Sequence, residues 1–269
     1  MKRVISGLFL IAVTVLVVLY APLSLFSLFI STIALLAVGE YSGFAVSAGR
    51  PRLQRAAALA AAAAAPVLFH LFGPSVVGPY VAALVLAAFA ARMAATAAPL
   101  QGAAAEVAST VFGVLYIALP ASYLVAIRGL DSGELWILFL FVMGWANDTF
   151  AYYVGRSLGR RRLSPRISPR KTVEGAVGGA AGAMAAAWLF AGLAGLPMSP
   201  AAAAALSVPL AALAVVGDLS ESLLKRSAGV KDSSSIIPGH GGVLDRFDSF
   251  LFTTPALYYF LSWRTHYLL

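Results

Sequence analysis

Residues 7–38 read GLFLIAVTVLVVLYAPLSLFSLFISTIALLAV, two apolar runs that meet at Pro22 and contain no charged side chain. A membrane span needs about 20 apolar residues to cross roughly 30 Å of hydrocarbon. Lys2 and Arg3 ahead of the first run also fit a secretory signal peptide, but no small-residue cleavage site follows and the second run begins almost at once. We therefore interpret both runs as transmembrane helices.

The same apolar character extends over the whole chain. Its 269 residues are 61% hydrophobic and 11% charged, with a mean hydropathy of +0.88, whereas an ordinary soluble domain is roughly half apolar and about a quarter charged. This composition excludes a soluble globule. The absence of cysteine excludes a disulfide framework, a thiolate zinc site and a cysteine nucleophile.

The hydropathy pattern predicts an all-α, polytopic integral membrane protein with about nine transmembrane helices and a cytoplasmic N-terminus. The predicted spans are 4–20, 22–39, 56–72, 76–91, 104–127, 134–155, 174–195, 200–222 and 244–262. In this orientation 17 of the 19 Lys and Arg residues lie on the cytoplasmic side, as the positive-inside rule requires. The net charge of +8 is thus assigned to topology and to anionic lipid headgroups, and no nucleic-acid partner is predicted.

Polar residues concentrate in the C-terminal half. Seven of the eleven acidic residues and eleven of the nineteen basic residues lie between Asp148 and Asp248. Charges beside a bilayer are expensive and usually mark the working site. We therefore predict a scaffold of about five spans over 1–130 and a catalytic region of about four spans over 131–269. The cytoplasmic loops of the catalytic region are 156–173 and 217–246.

The first polar cluster stands near the end of the sixth apolar segment. Asp148, Tyr152 and Gly155 are spaced at i, i+4 and i+7, so they share one helix face. Two interpretations are open for Asp148: a carboxylate hydrogen-bonded between helices, or a contributor to a buried polar site near the cytoplasmic surface.

A basic loop follows this cluster. The run 160–162 consists of three arginines, which fit a topology determinant or a headgroup contact. Ser168 followed by Pro169 predicts a helix N-cap with proline at the first position, which turns free N–H groups and a positive dipole end outward. Together with Arg170, Lys171 and Thr172, this end predicts a polyphosphate site.

Glu174 opens the helix that follows the basic loop. The glycines of that helix, Gly178, Gly179 and Gly182, favour close helix packing over chemistry.

The third cluster is the densest. One helix face carries Asp218, Glu221, Ser222 and Lys225, with Arg226 beside it. A polar loop with Lys231 and Asp232 comes next. The glycines on either side of His240, which are Gly239, Gly241 and Gly242, can bring backbone N–H groups close to an anion.

Asp245 and Asp248 come directly after this loop and are three residues apart on one helical face, with Arg246 between them. Carboxylate oxygens without cysteines, and with only three histidines in the chain, suit Mg²⁺ that also binds substrate phosphates. The sequence therefore predicts a magnesium-dependent phosphate site.

These residues together resemble the signature of the phosphatidate cytidylyltransferases, also called CDP-diacylglycerol synthases. The matching pieces are Ser222-Leu-Leu-Lys-Arg, Lys231-Asp232, Pro238-Gly239-His240-Gly241-Gly242 and Asp245-Arg246-Phe247-Asp248. The upstream pieces Asp148, Ala151-Tyr152, Gly155, Gly159 and Ser168 to Gly175 are also similar to the family, although Arg170 stands where lysine is common. The resemblance covers most of 140–262.

The resemblance implies a dimeric enzyme of the inner (plasma) membrane, with its active site facing the cytoplasm. It would convert phosphatidic acid and CTP to CDP-diacylglycerol and pyrophosphate with one or two Mg²⁺ ions. As catalytic residues it implies Asp218, Lys225, His240, Asp245, Arg246 and Asp248. As substrate-binding residues it implies Ser168, Lys171, Thr172, Glu174, Arg226, Lys231, Asp232, Gly239, Gly241 and Gly242. The metal candidates are Asp218, Asp245 and Asp248, with Asp148 or Glu221 nearby. For His240, proton donation and a loop-structuring hydrogen bond both stay open.

Two other classes of function compete with this interpretation. A transporter would place charges along a path through the membrane, but here they cluster at one interface and no paired repeat with broken helices is visible. A CTP-dependent kinase or cytidylyltransferase acting on a polyprenol-type lipid would share the nucleotide chemistry and differ in the acceptor.

Overall fold

The computed structural model describes residues 2–45, 51–237 and 241–267. Within these ranges eight of the nine predicted apolar segments lie on a single α-helix apart from their end residues. The segment 244–262 is instead divided between two helices, with Asp248 and Ser249 in a turn between them. The helices are α1 (Lys2–Tyr20), α2 (Leu23–Phe44), α3 (Arg52–Phe72), α4 (Val77–Ala94), α5 (Ala103–Arg128), α6 (Gly133–Leu158), α7 (Val173–Ala194), α8 (Pro200–Ser227), α9 (Leu244–Phe247) and α10 (Phe250–Tyr267). Two short strands, β1 (Arg162–Ser164) and β2 (Ser168–Thr172), complete the described elements.

Six helical stretches among the described residues are long and apolar enough to cross a membrane. They are α2, α5, α6, α7, α8 and a 43-residue stretch in which a 3₁₀ turn, Gly73–Val76, joins α3 to α4. These stretches indicate a multi-pass, all-α membrane protein. The nine spans and the cytoplasmic N-terminus stay predictions.

Local sequence explains where several helices begin and end. Pro22 has no N–H to continue the hydrogen bonds of α1, and it is extended (φ −61°, ψ 154°) at the start of α2. Gly195 adopts φ +67° at the end of α7, a left-handed conformation that glycine reaches without a Cβ penalty.

The helices form two compact units. One comprises Met1–Gly129 with Ser227–Phe247, and the other comprises Leu130–Arg226 with Asp248–Leu269. The first division falls beside the predicted boundary between 1–130 and 131–269. The segment Ser227–Phe247, however, groups with the N-terminal helices, which the sequence did not predict.

Small side chains let the helices of the first unit pack closely. Ala34, Ala58, Ala62 and Val114, from α2, α3 and α5, are almost completely buried. Gly113 leaves room for the ring of Tyr41, whose Cε1 lies 2.3 Å from where a Cβ at Gly113 would stand.

In the second unit, α6 and α7 pack against each other through the predicted glycines. A Cβ on Gly178 would lie 2.6 Å from Val154 Cβ, and one on Gly182 would lie 2.4 Å from Phe150 Cγ. At Gly179 the Cβ would be 2.8 Å from the carbonyl oxygen of Asn147. The packing interpretation of these glycines is therefore confirmed.

Gly179→Ala is expected to destabilise the protein by about 1–3 kcal/mol, because overpacking against backbone forces α6 and α7 apart. Gly192→Ala in the same helix is the matched control, since its Cβ would meet only Pro200 Cγ at 3.8 Å, and alanine is the better helix former by about 1 kcal/mol. Thermal unfolding in detergent should show a lower midpoint for Gly179→Ala alone. Equal midpoints would contradict the packing argument.

Candidate active site

The basic loop between α6 and α7 forms a β-hairpin. Strands β1 and β2 are antiparallel, with Arg162 opposite Thr172 and Ser164 opposite Ser168. The predicted helix N-cap at Ser168 is therefore wrong: pairing with β1 holds Ser168 and Pro169 extended, a conformation that proline tolerates at a strand edge. The N-cap is Thr172, whose Oγ1 accepts a hydrogen bond from Gly175 N at 3.0 Å.

Glu174, in the first turn of α7, forms hydrogen bonds with the start of this hairpin. Its carboxylate accepts hydrogen bonds from the backbone N–H groups of Arg160 at 3.0 Å and Arg161 at 3.1 Å. Val173 N donates to the Arg161 carbonyl at 2.9 Å. Glu174 thus binds the chain itself in this structure, and its predicted contact with substrate stays a prediction.

A cavity of about 650 Å³ lies in the second unit, between α6, the hairpin, α7 and α8. The predicted helix face of Asp148, Tyr152 and Gly155 lines it, as does Asp218 from α8. Its cationic lining residues are Arg156, Arg162, Arg170 and Lys171. Arg156 and Arg162 were not among the predicted site residues, because a basic loop beside a membrane is sufficiently explained by topology.

Glycines bring the walls of this cavity together around Thr172, which is buried. A Cβ on Gly159 would lie 2.1 Å from the Gly155 carbonyl oxygen and 2.8 Å from Thr172 Cγ2. A Cβ on Gly175 would lie 2.9 Å from Thr172 Oγ1 and 2.8 Å from the Ala151 carbonyl oxygen. The backbones of α6 and α7 therefore meet directly beside the cavity, and the Thr172 side chain of the hairpin packs against both.

Lys171 and Asp218 form an ion pair between β2 and α8. Their side chains are 27% and 35% exposed, so both groups are accessible from the cavity. Ser222 Oγ lies 3.4 Å from Asp218 Oδ1 on the next turn of α8. The pair joins two predicted site residues that are far apart in sequence. Lys171 is a candidate for binding phosphate, and Asp218 is a candidate metal ligand.

Glu221 and Lys225 form a second, buried ion pair on α8. Lys225 Nζ lies 2.7 Å from Glu221 Oε2, at i and i+4. The side chains are 1% and 10% exposed for Glu221 and Lys225, respectively. The two predicted site residues are thus adjacent, and the Lys225 ammonium binds a carboxylate of its own helix.

Asp248 lies between α9 and α10, close to α8. A Cβ on Gly217 would be 2.6 Å from the Asp248 carbonyl oxygen. The charges of Asp218, Glu221 and Asp148 act on the Asp248 carboxyl group.

Asp248 therefore lies close enough to three other carboxylates of the second unit to interact with their charges, and carboxylate oxygens suit a hard divalent cation. In the described ranges, no three His, Asp or Glu side chains lie within the distance needed to hold a metal ion together. The residue types fit Mg²⁺, and the metal site itself stays a prediction.

The loop before Asp245 belongs to the first unit. Asp245 Oδ2 accepts hydrogen bonds from Ser233 N at 3.1 Å, Ser233 Oγ at 2.9 Å and Gly242 N at 2.8 Å. Gly241 adopts φ +80° and its carbonyl accepts a hydrogen bond from Ile237 N at 2.9 Å. The glycines around His240 were expected to bring N–H groups close to an anion. In this structure the Gly242 N–H donates to the Asp245 carboxylate of the same chain.

Of the remaining predicted residues, Arg226 lies on α8, Lys231 and Asp232 lie in the loop, and Arg246 lies on α9. Arg226, Lys231, Asp232 and Arg246 are exposed, and their contacts with substrate stay predictions. Gly239 and His240 lie outside the described residues.

Glu40, on α2, is a residue of this loop region that the sequence analysis missed. Its buried carboxylate accepts hydrogen bonds from the Ser233 and Ser234 hydroxyls and from the backbone N–H groups of Val243 and Leu244, at 2.7–2.9 Å. The available signal was its isolation, since it is the one acidic residue before Glu106 and follows a long apolar run.

The chain is similar in sequence to known cytidylyltransferases. The chain matches the cytidylyltransferase family over residues 1–263. It is 39% identical over 158 residues to a protein of Bacillus subtilis named phosphatidate cytidylyltransferase. The aligned residues are 58% of this chain and 59% of that protein. A protein of the same name from Haemophilus influenzae is 38% identical over 46% of this chain and 44% of its own length. One from Brucella abortus is 43% identical over 55% of this chain and 55% of its own length.

The chain thus spans about half the length of the curated relatives it matches. The family match, in contrast, extends over nearly all of the 269 residues. It includes the cavity of the second unit and the Asp245 loop of the first. The chain therefore belongs to the cytidylyltransferase family.

Proposed function

We propose that this protein is a phosphatidate cytidylyltransferase, which converts phosphatidate and CTP to CDP-diacylglycerol and pyrophosphate. The observation that carries the proposal is the cavity of the second unit, where Lys171 pairs with Asp218 beside three arginines. Cations and a carboxylate lining one cavity suit a polyphosphate that arrives with a divalent metal. The names of the relatives support the choice of CTP and phosphatidate.

The reaction needs no strong base from the protein. A phosphate monoester has its second pKa around 6, so phosphatidate already carries a nucleophilic oxygen near neutral pH. This oxygen attacks the α-phosphorus of CTP, and the bond from the α-phosphorus to the bridging oxygen breaks as pyrophosphate leaves with the electron pair. The protein's task is to align the two phosphates and to neutralise developing charge.

Different residues of the cavity would bind the phosphates and the metal ion. Lys171 and Arg170, on the hairpin, bind phosphate oxygens, and Arg156 and Arg162 attract the two anionic substrates. Asp218 and Asp248 would hold Mg²⁺ in the second unit with Asp148 or Glu221 nearby, and Asp245 is the candidate ligand of the first unit. When bound, the metal would neutralise charge on the triphosphate. If Asp218 bound the metal, the Lys171 ammonium, which is now paired with Asp218, would be available for phosphate.

The proposal extends to membrane topology and assembly. Nine spans with a cytoplasmic N-terminus place 17 of the 19 basic residues on the cytoplasmic side, which is where CTP is available. Phosphatidate would then enter laterally from the inner leaflet of the plasma membrane while its acyl chains remain in lipid. The proposed homodimer rests on the family resemblance.

The test uses the purified full chain in detergent with phosphatidate, Mg²⁺ and CTP. CTP labelled at the α-phosphate should yield lipid-extractable label that depends on phosphatidate and disappears with EDTA. A polyprenol and a polyprenyl phosphate serve as competing acceptors, and label from the γ-phosphate would reveal a kinase. Transfer to a polyprenol-type lipid alone, or no transfer in any of several detergents, would overturn the proposal.

A further inference from the structure

Glu40 fixes the loop that carries Asp245 by binding both of its ends. Near the loop's beginning, Ser233 Oγ and Ser234 Oγ donate to Oε2 at 2.8 Å and to Oε1 at 2.7 Å. Near its end, Val243 N and Leu244 N donate to Oε1 at 2.8 Å and to Oε2 at 2.9 Å. Each carboxylate oxygen therefore accepts one hydrogen bond from either end of the loop.

Ser233 connects Glu40 directly to Asp245. Its Oγ lies 2.8 Å from Glu40 Oε2 and 2.9 Å from Asp245 Oδ2. One hydroxyl carries one proton, so it donates to one of these carboxylates at a time. The position of the Asp245 side chain thus depends on a hydroxyl that Glu40 also holds.

The side chains of Ser233 and Glu40 leave no room for a side chain at Gly242. A Cβ at this position would lie 1.9 Å from Ser233 Oγ and 2.4 Å from Glu40 Oε2. The glycine is therefore required where the loop backbone crosses the two side chains. Its own N–H is one of the groups that bind Asp245.

We propose that Glu40 is a positioning residue for the reaction, which holds Asp245 in place through Ser233 and through the backbone of Val243 and Leu244. The inference rests on the proposed function, in which Asp245 is the metal ligand of the first unit. Glu40 acts from a helix that the sequence analysis assigned to the scaffold. It touches neither substrate nor metal in this role.

The chemistry of the contact explains why a carboxylate is needed. All four groups facing Glu40 are donors, and a carboxylate accepts at both oxygens. Glu40→Gln keeps the shape but turns one acceptor into an NH₂ donor that faces an N–H and a hydroxyl. Each end of the loop then keeps only one of its two hydrogen bonds to this side chain, so Asp245 is held less firmly.

Two measurements on the full-length protein in detergent test the proposal. Without substrate or metal, hydrogen exchange at the amides of Val243 and Leu244 should be faster in Glu40→Gln, while exchange within the buried part of α2 is unchanged. In the transfer assay, the Mg²⁺ concentration for half-maximal activity should rise about 10–100-fold, as is typical when a group supporting a metal ligand is lost.

Glu106→Gln is the matched control, because Glu106 is another carboxylate of the first unit and binds Arg92 Nε at 2.8 Å. It should leave exchange in the loop and the Mg²⁺ dependence unchanged. Ser234→Ala serves if Glu40→Gln does not fold, since it removes a single donor to Glu40 Oε1, and it should shift both readouts in the same direction by less.

Unchanged exchange and unchanged Mg²⁺ dependence in both Glu40→Gln and Ser234→Ala would overturn the positioning role. The proposed function would survive that result, because wild-type transfer is measured in the same assay. Conversely, altered exchange in a protein that transfers no cytidylyl group would leave Glu40 as the loop anchor and refute the reaction.

Discussion

Asp245→Asn is expected to lower the rate of cytidylyl transfer by about 10³-fold or more and to leave the protein folded. Charge neutralisation by a bound metal is worth several kcal/mol, and about 1.4 kcal/mol corresponds to each factor of ten in rate. Asparagine keeps one side-chain oxygen, which can still accept the hydrogen bonds that Asp245 Oδ2 receives from Ser233 and Gly242. The lost property is therefore the negative charge.

The measurement is transfer of α-labelled CTP to phosphatidate at saturating Mg²⁺, together with the thermal midpoint of each variant. Asp131→Asn is the control, because Asp131 is an exposed acidic residue in the turn before α6. Its activity should equal that of the wild type. Full activity in Asp245→Asn would remove Asp245 from the metal site.

Lys171→Met should lower kcat/KM for CTP about 10²–10³-fold, the loss typical of one group that stabilises charge in the transition state. Methionine keeps the apolar stem of the side chain, and only the ammonium beside Asp218 is removed. Because lysine acts as a point charge and arginine as a planar fork, Lys171→Arg should recover part of the lost rate.

Arg166→Gln provides the control for Lys171, since Arg166 is exposed in the turn of the same hairpin and does not line the cavity. A variant of each residue should be assayed over a range of CTP concentrations. If Arg166→Gln and Lys171→Met lose the same modest activity, general attraction of anions by the loop explains the effect and Lys171 has no specific role.

Sequence was sufficient where the deciding interactions are local. Eight of the nine apolar segments lie on single helices, because a helix satisfies its backbone polar groups internally, as lipid requires. The helix face of Asp148, Tyr152 and Gly155 lines the cavity as predicted, because helical periodicity fixes which side chains share a face.

The hairpin could not be predicted in this way. Ser168-Pro169 is a good local N-cap signal, but strand pairing between residues 162 and 172 overrides it and moves the helix start to Val173. Thr172 offered an equally good cap, so propensity alone could not choose between the two.

Glu40 was missed for a different reason. Its partners Ser233, Ser234, Val243 and Leu244 are far away in sequence, and nothing in the pattern around Glu40 specifies them. A single acidic residue in an apolar segment signals that some partner exists, since a charge there is expensive, but does not identify it. The grouping of Ser227–Phe247 with the N-terminal helices depends on these same long-range contacts.

The contact between Glu40 and the Asp245 loop also constrains the biogenesis of the protein. A separation of 193 residues lies between Glu40 and Ser233, which a ribosome working at about 5–20 residues per second needs roughly 10–40 s to cover. During this interval α2 is already made, while every hydrogen-bond donor that Glu40 will bind in the loop is still untranslated. The first unit is thus completed only after α8 has emerged, because the carboxylate on its early helix α2 receives these hydrogen bonds from a segment that is made late.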